Sequence, residues 1–190
     1  IQEILPEDNK TISVALFAEK GIILTYWMGI KLREHPERFG TATCCKSVYI
    51  EELLEPSKRL MKELNYTGVC EIEFIRDSRD GLYKLIEINA RTWLWVDLAI
   101  RCGVNFPKII YDYVYQGIIP EQAEYRLNEI WLNIYTDLVY TIKPLIKRKR
   151  SIKHVAKTYK KFNEACWDKG DFKPFFAYGI LIPYYLSKRT

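Results

Sequence analysis

Histidine is scarce, two in 190 residues, and the five cysteines show no C-x-x-C spacing and no neighbouring histidine. That excludes a zinc site of paired thiols and imidazoles. Cys44, Cys45, Cys70, Cys102 and Cys166 are odd in number and sit among apolar residues, the usage of a reduced chain without a disulfide framework. A cytoplasmic location is expected on that ground. No apolar run is long enough to span a bilayer as a helix, and a signal peptide is not expected. Internal repeats and low-complexity tracts are absent. An initiating methionine is absent too: Ile1 to Pro6 begins within what reads as a strand, so a fragment of a longer protein is expected. What is abundant is apolar and aromatic surface, 48% and 14% of residues, enough for one buried core with an appendage. The formal charge of +5 is modest but unevenly placed.

Two stretches organise the chain. Gly68-Val-Cys-Glu-Ile-Glu-Phe-Ile75 and Lys84-Leu-Ile-Glu-Ile-Asn-Ala-Arg91 are β-branched and apolar, and both read as strands. Between them Asp77-Ser-Arg-Asp-Gly81 is turn chemistry, so a hairpin is expected. Side chains alternate along a strand. Leu85, Glu87, Asn89 and Arg91 should therefore share one face, as should Glu71, Glu73 and Ile75, with Ile86, Ile88 and Ala90 on the other. Two carboxylates and an amide oxygen on neighbouring strands suit a hard cation such as Mg²⁺, which takes a few oxygen ligands and keeps water or phosphate for the rest. Arg91 could clamp an oxyanion beside it. Periodicity by itself favours the plainer reading, a hairpin with one solvated face.

The string Leu-Ile-Glu-Ile-Asn-Ala-Arg resembles the E-x-N-x-R strand of the ATP-grasp superfamily, and Glu-Ile-Glu-Phe resembles that family's upstream metal-ligand strand. Thr92 to Ala99 and Gly103 to Pro107 resemble the continuation in carboxylate–amine ligases of this type. Ala90 stands where the family often has proline. The resemblance implies an α+β fold: an antiparallel sheet with flanking helices, forming the C-terminal lobe of an ATP-grasp fold over residues 1–118, with a helical, basic extension over 119–190 packed on it. It implies ATP and Mg²⁺ as cofactors, Glu73, Glu87 and Asn89 as metal ligands, and Arg91 as the group that steadies the phosphate in transit. Ile1 to Pro6 resembles the family's hinge, which would put Gln2, Glu3 and Ile4 at the adenine and Asp8 at the ribose. Ile75 and Ile86 would be apolar walls against the adenine. The family's preceding domain, glycine-rich loop and two ATP-contacting lysines are not in this sequence. The resemblance therefore implies the N-terminal part of the same parent chain as partner, and an isolated fragment that is inactive and binds ATP weakly or not at all.

Elsewhere the reading is plainer. Thr11–Ala18 and Gly21–Lys31 form a second expected hairpin around Glu19-Lys-Gly21. Lys31 and Arg33 lie where its second strand runs out, and family members use basic residues there on phosphates or acyl substrate. Arg33 is the expected anion clamp, and His35 is read as structural. Thr41–Tyr49 is a short strand, Glu51–Asn65 a helix with Pro56 near its start, and Thr92–Cys102 a helix opening directly after Arg91 and capped by Gly103. Another helix runs from Phe106 to Gln116. Ile130–Leu145 is helix or strand by period. Lys143–Lys161 is strongly basic and is followed by an aromatic, apolar tail at Phe175–Leu186. Charge runs are usually solvated faces, so a solvated basic helix packed by that tail is expected ahead of a membrane surface, and a nucleic acid is not expected.

Two functions follow. The first is an ATP-dependent carboxylate–amine ligase that makes an acyl phosphate, taking a small-molecule carboxylate and an amine. The second is a non-catalytic ATP-grasp-like module whose basic tail docks on a membrane surface or an anionic polymer.

Overall fold

Thr11–Glu19 (β1) is buried along its whole length except at the two ends. A strand covered on both faces belongs in the middle of a sheet. In the computed structural model, which describes residues 3–5, 10–36, 40–146 and 152–188, β1 has two strands on one side and four on the other. The strands are Ile22–His35 (β2), Thr41–Ser47 (β3), Gly68–Arg76 (β4), Tyr83–Asn89 (β5), Ile130–Leu132 (β6) and Asn163–Glu164 (β7), in the order β5-β4-β1-β2-β3-β6-β7. All pairs are antiparallel but β6–β7. The helices are Leu54–Glu63 (α1), Val96–Cys102 (α2), Phe106–Gln116 (α3), Ile134–Ile146 (α4), Ile152–Thr158 (α5) and Lys173–Lys188 (α6). The α+β class and the antiparallel sheet with flanking helices are as expected from the sequence.

The β1–β2 turn is made by Lys20 and Gly21, both at positive φ (48° and 80°), the geometry that matches strand twist in a two-residue hairpin. One face of the sheet packs Leu16, Met28 and Ile72 against Leu53 and Met61 at α1. The other packs Trp27 against Trp93 and Trp95, ring centroids 5.4–6.3 Å apart, under α2 and α3. Gly29 lies beneath those rings, where a Cβ would overlap Trp27 and Trp95. Asn105 caps α3 by accepting from the Lys108 N–H, with Pro107 in the first turn. Gly103, at φ 116°, ends α2.

Three expectations are corrected and one open reading is resolved. The helix after Arg91 opens at Val96, not at Thr92, so no helix N-terminus adjoins Arg91. Residues 92–95 instead form a turn that drives Trp93 and Trp95 into the core. Ile130–Leu145 is both strand and helix, β6 followed by α4. The stretch after residue 119 is thus not helical throughout, since β6 and β7 extend the sheet. Finally, the β4–β5 register slips by one residue at Ile86, so that Leu85 opposes Phe74 and leaves the Glu87 face.

Candidate functional site

Strand pairing assembles the polar cluster. Glu73 lies directly opposite Glu87, and Glu71 opposite Asn89, which puts all four on one face of β4 and β5. Asn89 Nδ2 donates to Glu87 Oε1 at 2.9 Å and to Glu71 Oε2 at 3.3 Å. Both contacts turn the amide nitrogen toward carboxylates and leave its oxygen on the Arg91 side. Arg91 Nη2 reaches that oxygen at 3.5 Å, and Arg91 Nη1 donates to the Thr92 carbonyl at 3.0 Å. Glu73, Glu87, Asn89 and Arg91, predicted from the sequence, are therefore brought together. Glu87 and Arg91 are exposed, Glu73 and Glu71 buried, so the cluster opens outward over a buried floor.

Two members were not singled out by sequence reasoning. Lys31 Nζ sits 2.8 Å from Glu73 Oε1. Burial pulls the Lys31 ammonium down and Glu73 pulls it up, with the net direction upward. Glu71 is 3% exposed, and its Oε1 has no hydrogen bond of normal geometry. Burial first, then repulsion from Glu73, lift its carboxyl to about 7, against the pull of Ser13, Lys31 and Asn89. Alternation already placed Glu71 beside Glu73, so that signal was available. Lys31 stands beside Arg33 at the end of the second expected strand, but Arg33 was the residue expected to clamp the anion.

Lys31 and Arg33 have the same parity, yet the register of β2 against β3 shifts between Lys31 and Arg33 and again before Glu34. Lys31 opposes Cys45 and Arg33 opposes Cys44, neighbours on opposite faces. Arg33 does clamp an anion, but the anion is Asp137. Its Nε and Nη2 donate to the two Asp137 oxygens at 2.7 and 2.8 Å, with Thr43 and Tyr159 also donating to that carboxylate. Its guanidinium is thereby occupied, and the cation facing the carboxylates is Lys31. His35, read as structural, stacks on Tyr140.

Of the expected nucleotide contacts, four of the six lie in the described residues. Gln2 and Asp8 lie outside the described residues. Glu3 pairs with Arg79 at 2.7 Å and Ile4 is exposed, and the described residues 3–5 form no strand. Ile75 lies on the Glu73 face, opposite Lys84, and Ile86 is the extra residue at the register slip. Trp93, close in sequence to Arg91, is buried against Phe106 of α3.

The oxygens of Glu73, Glu87 and Asn89 form a hard donor set, with the orphaned Glu71 Oε1 behind them, and this fits a small divalent cation. Among the described residues no group of three His, Cys, Asp or Glu side chains is near enough to hold a metal unaided. Water and a bound phosphate would have to complete the shell, as is usual for Mg²⁺.

Residues 42–100, which span β3 to α2 and so contain every residue of the cluster but Lys31, match the family model "Carbamoyl-phosphate synthase L chain, ATP binding domain". The fold is that of the ATP-grasp superfamily. Among relatives, D-aspartate ligase of Enterococcus faecium is 26% identical over 116 residues, covering 59% of this chain and 28% of that protein. Biotin carboxylase of Campylobacter jejuni, solved as a β,γ-ATP complex, superposes with a TM-score of 0.55 at 16% identity, covering 68% of this chain and 30% of the other. N5-carboxyaminoimidazole synthetase of Staphylococcus aureus, solved with ADP, gives 0.56 at 17% identity, covering 73% and 38%. This chain thus spans less than a third of the length of D-aspartate ligase and of biotin carboxylase.

Proposed function

We propose that this chain forms part of an ATP-dependent carboxylate–amine ligase, in which the γ-phosphate of ATP activates a carboxylate as an acyl phosphate for attack by an amine. The observation that carries this reading is the convergence of Glu73, Glu87, Asn89, Arg91 and Lys31 on one sheet face, four of them inside the matched segment. Bringing a carboxylate to a triphosphate sets anion against anion, so charge must be neutralised and the groups held in line. Glu73, Glu87 and Asn89 would hold Mg²⁺, which supplies charge neutralisation across the phosphates when bound. Asn89 presents its oxygen because Glu71 and Glu87 hold its nitrogen. Arg91 lies at the open edge of the cluster and steadies the phosphate in transit with a fork of N–H donors. Lys31 neutralises Glu73, and with Mg²⁺ bound its ammonium would be placed to face the phosphate or the acyl oxygen. The five thiols, all free, accord with a reducing, cytoplasmic setting.

The test is ADP release by the full-length parent chain with Mg·ATP, a carboxylate and an amine. Glu73→Gln should raise the Mg²⁺ requirement with the fold intact, and Glu87→Gln should cut turnover on the order of 10²-fold. Wild-type activity in both variants would remove the metal assignment. ADP release independent of both carboxylate and amine would remove the ligase reading.

A further inference from the structure

From Phe176 to Tyr184 the outer side of α6 is apolar. The helix turns Phe175, Tyr178, Gly179 and Ile182 inward at helical spacing, with Phe175 and Tyr178 against the Tyr135 ring of α4. At Gly179 a Cβ would meet that ring at 2.8–3.1 Å, so the close approach fixes which side faces in. The opposite side carries Phe176, Ile180, Leu181 and Tyr184, with Phe172 one turn ahead and Trp167 edge-on to Phe176. These six are between 42% and 80% exposed. Between Lys173 and Lys188 the helix has no charged residue. A helix that is apolar all round is normally covered, and soluble monomers seldom leave such a patch bare.

The surrounding charge indicates what covers it. Residues 143–190 contain thirteen Lys and Arg against three Asp and Glu, whereas the whole chain has 29 against 24. The rest of the chain is therefore net acidic, and the positive charge is concentrated around this helix in sequence. Lys153, Lys157, Lys160, Lys161, Lys169 and Lys173 are all exposed. A second copy seated face to face would bring two strongly basic regions together. A nucleic acid would satisfy the lysines and leave the Phe, Ile and Leu side chains in water. A bilayer with anionic headgroups satisfies both, since lysines sit at the phosphates while Phe, Tyr and Trp suit the boundary with the acyl chains. At 16 residues α6 is about 24 Å long, and among the described residues no helix is long and apolar enough to cross a membrane. It can only lie in the surface plane.

We propose that the outer face of α6 docks on an anionic membrane surface, its exposed Phe, Ile, Leu and Tyr side chains entering the headgroup layer and the neighbouring lysines supplying the attraction to acidic lipid. The ligase reading is independent of this, because the docking face is not part of the carboxylate cluster.

The chain is centrifuged with vesicles of phosphatidylcholine alone and with vesicles containing a third phosphatidylserine. Binding should be about tenfold stronger to the anionic vesicles and should fall severalfold between 0.1 and 0.5 M salt. Phe176→Ser with Ile180→Asp should weaken it about tenfold with an unchanged circular dichroism spectrum, because both side chains point outward. Lys169→Glu with Lys173→Glu should weaken binding to anionic vesicles alone. Absence of the chain from the anionic pellet would overturn the proposal, as would retention unaffected by either double variant. So would a dimer in light scattering that falls apart on Ile180→Asp, which would make a second copy the occupant.

Discussion

Glu71 is the most exposed to test of the buried groups, because its charge is opposed by its surroundings. Its carboxyl moves from an ordinary 4.5 to about 7, chiefly through burial and then through Glu73. Below pH 4.5 the proton is on in both folded and unfolded chains, and no cost arises. Between 4.5 and about 7 the unfolded chain releases the proton while the fold keeps it, so stability falls as pH rises. Above about 7 the fold carries the charge at a full cost of roughly 3 kcal/mol. Glu71→Gln removes that charge and keeps an acceptor for Asn89. In EDTA, urea unfolding at pH 8.5 should show the variant more stable by up to about 3 kcal/mol, and at pH 4.5 by close to nothing. An equal gain at both pH values would mean that shape and not ionisation was responsible. A loss at pH 8.5 would refute the placement of an uncompensated carboxylate at this position.

Lys31→Met should lower turnover of the parent enzyme and also cost stability, since it leaves the buried Glu73 carboxylate unpaired. Arg33→Met should cost about 3–5 kcal/mol by stranding the buried Asp137 charge, with much of the stability and the turnover recovered in Arg33→Met/Asp137→Leu; turnover decides which cation serves the site. Gly29→Ala should destabilise by about 1–3 kcal/mol through overlap with the tryptophan rings, with a shift in tryptophan emission as the local readout. Asn105→Ala should cost about 0.5–2 kcal/mol at the α3 cap, read from the thermal midpoint.

The sequence made the hairpin legible because its turn, Asp77 to Gly81, and its strand alternation are both local signals. Glu73, Glu87 and Asn89 met for that reason. Arg33 and Leu85 were misplaced by register slips of one residue, which alternation cannot foresee, and a one-residue slip is enough to change faces. The partner that claims Arg33 is 104 residues away, so nothing near it in sequence announced the pair. The false helix start at Thr92 came from an apolar run whose tryptophans are core anchors instead of a helical stripe. β6 and β7, three and two residues long, exist through pairing with a sheet assembled from elsewhere and have no propensity of their own to read.

The Arg33–Asp137 pair also determines how the molecule can be cut. Asp137, Thr158 and Tyr159 all belong to the later stretch, and Trp131 from that stretch lies in the same core as Trp27 and Trp95. Truncation near residue 118 would therefore not shed a detachable tail. It would strand a guanidinium in a dry interior, strip one side of β3 and leave an open edge ready to recruit another chain. A dissected fragment ending there should be recovered as aggregate, whereas one that keeps everything through α5 should stay in solution.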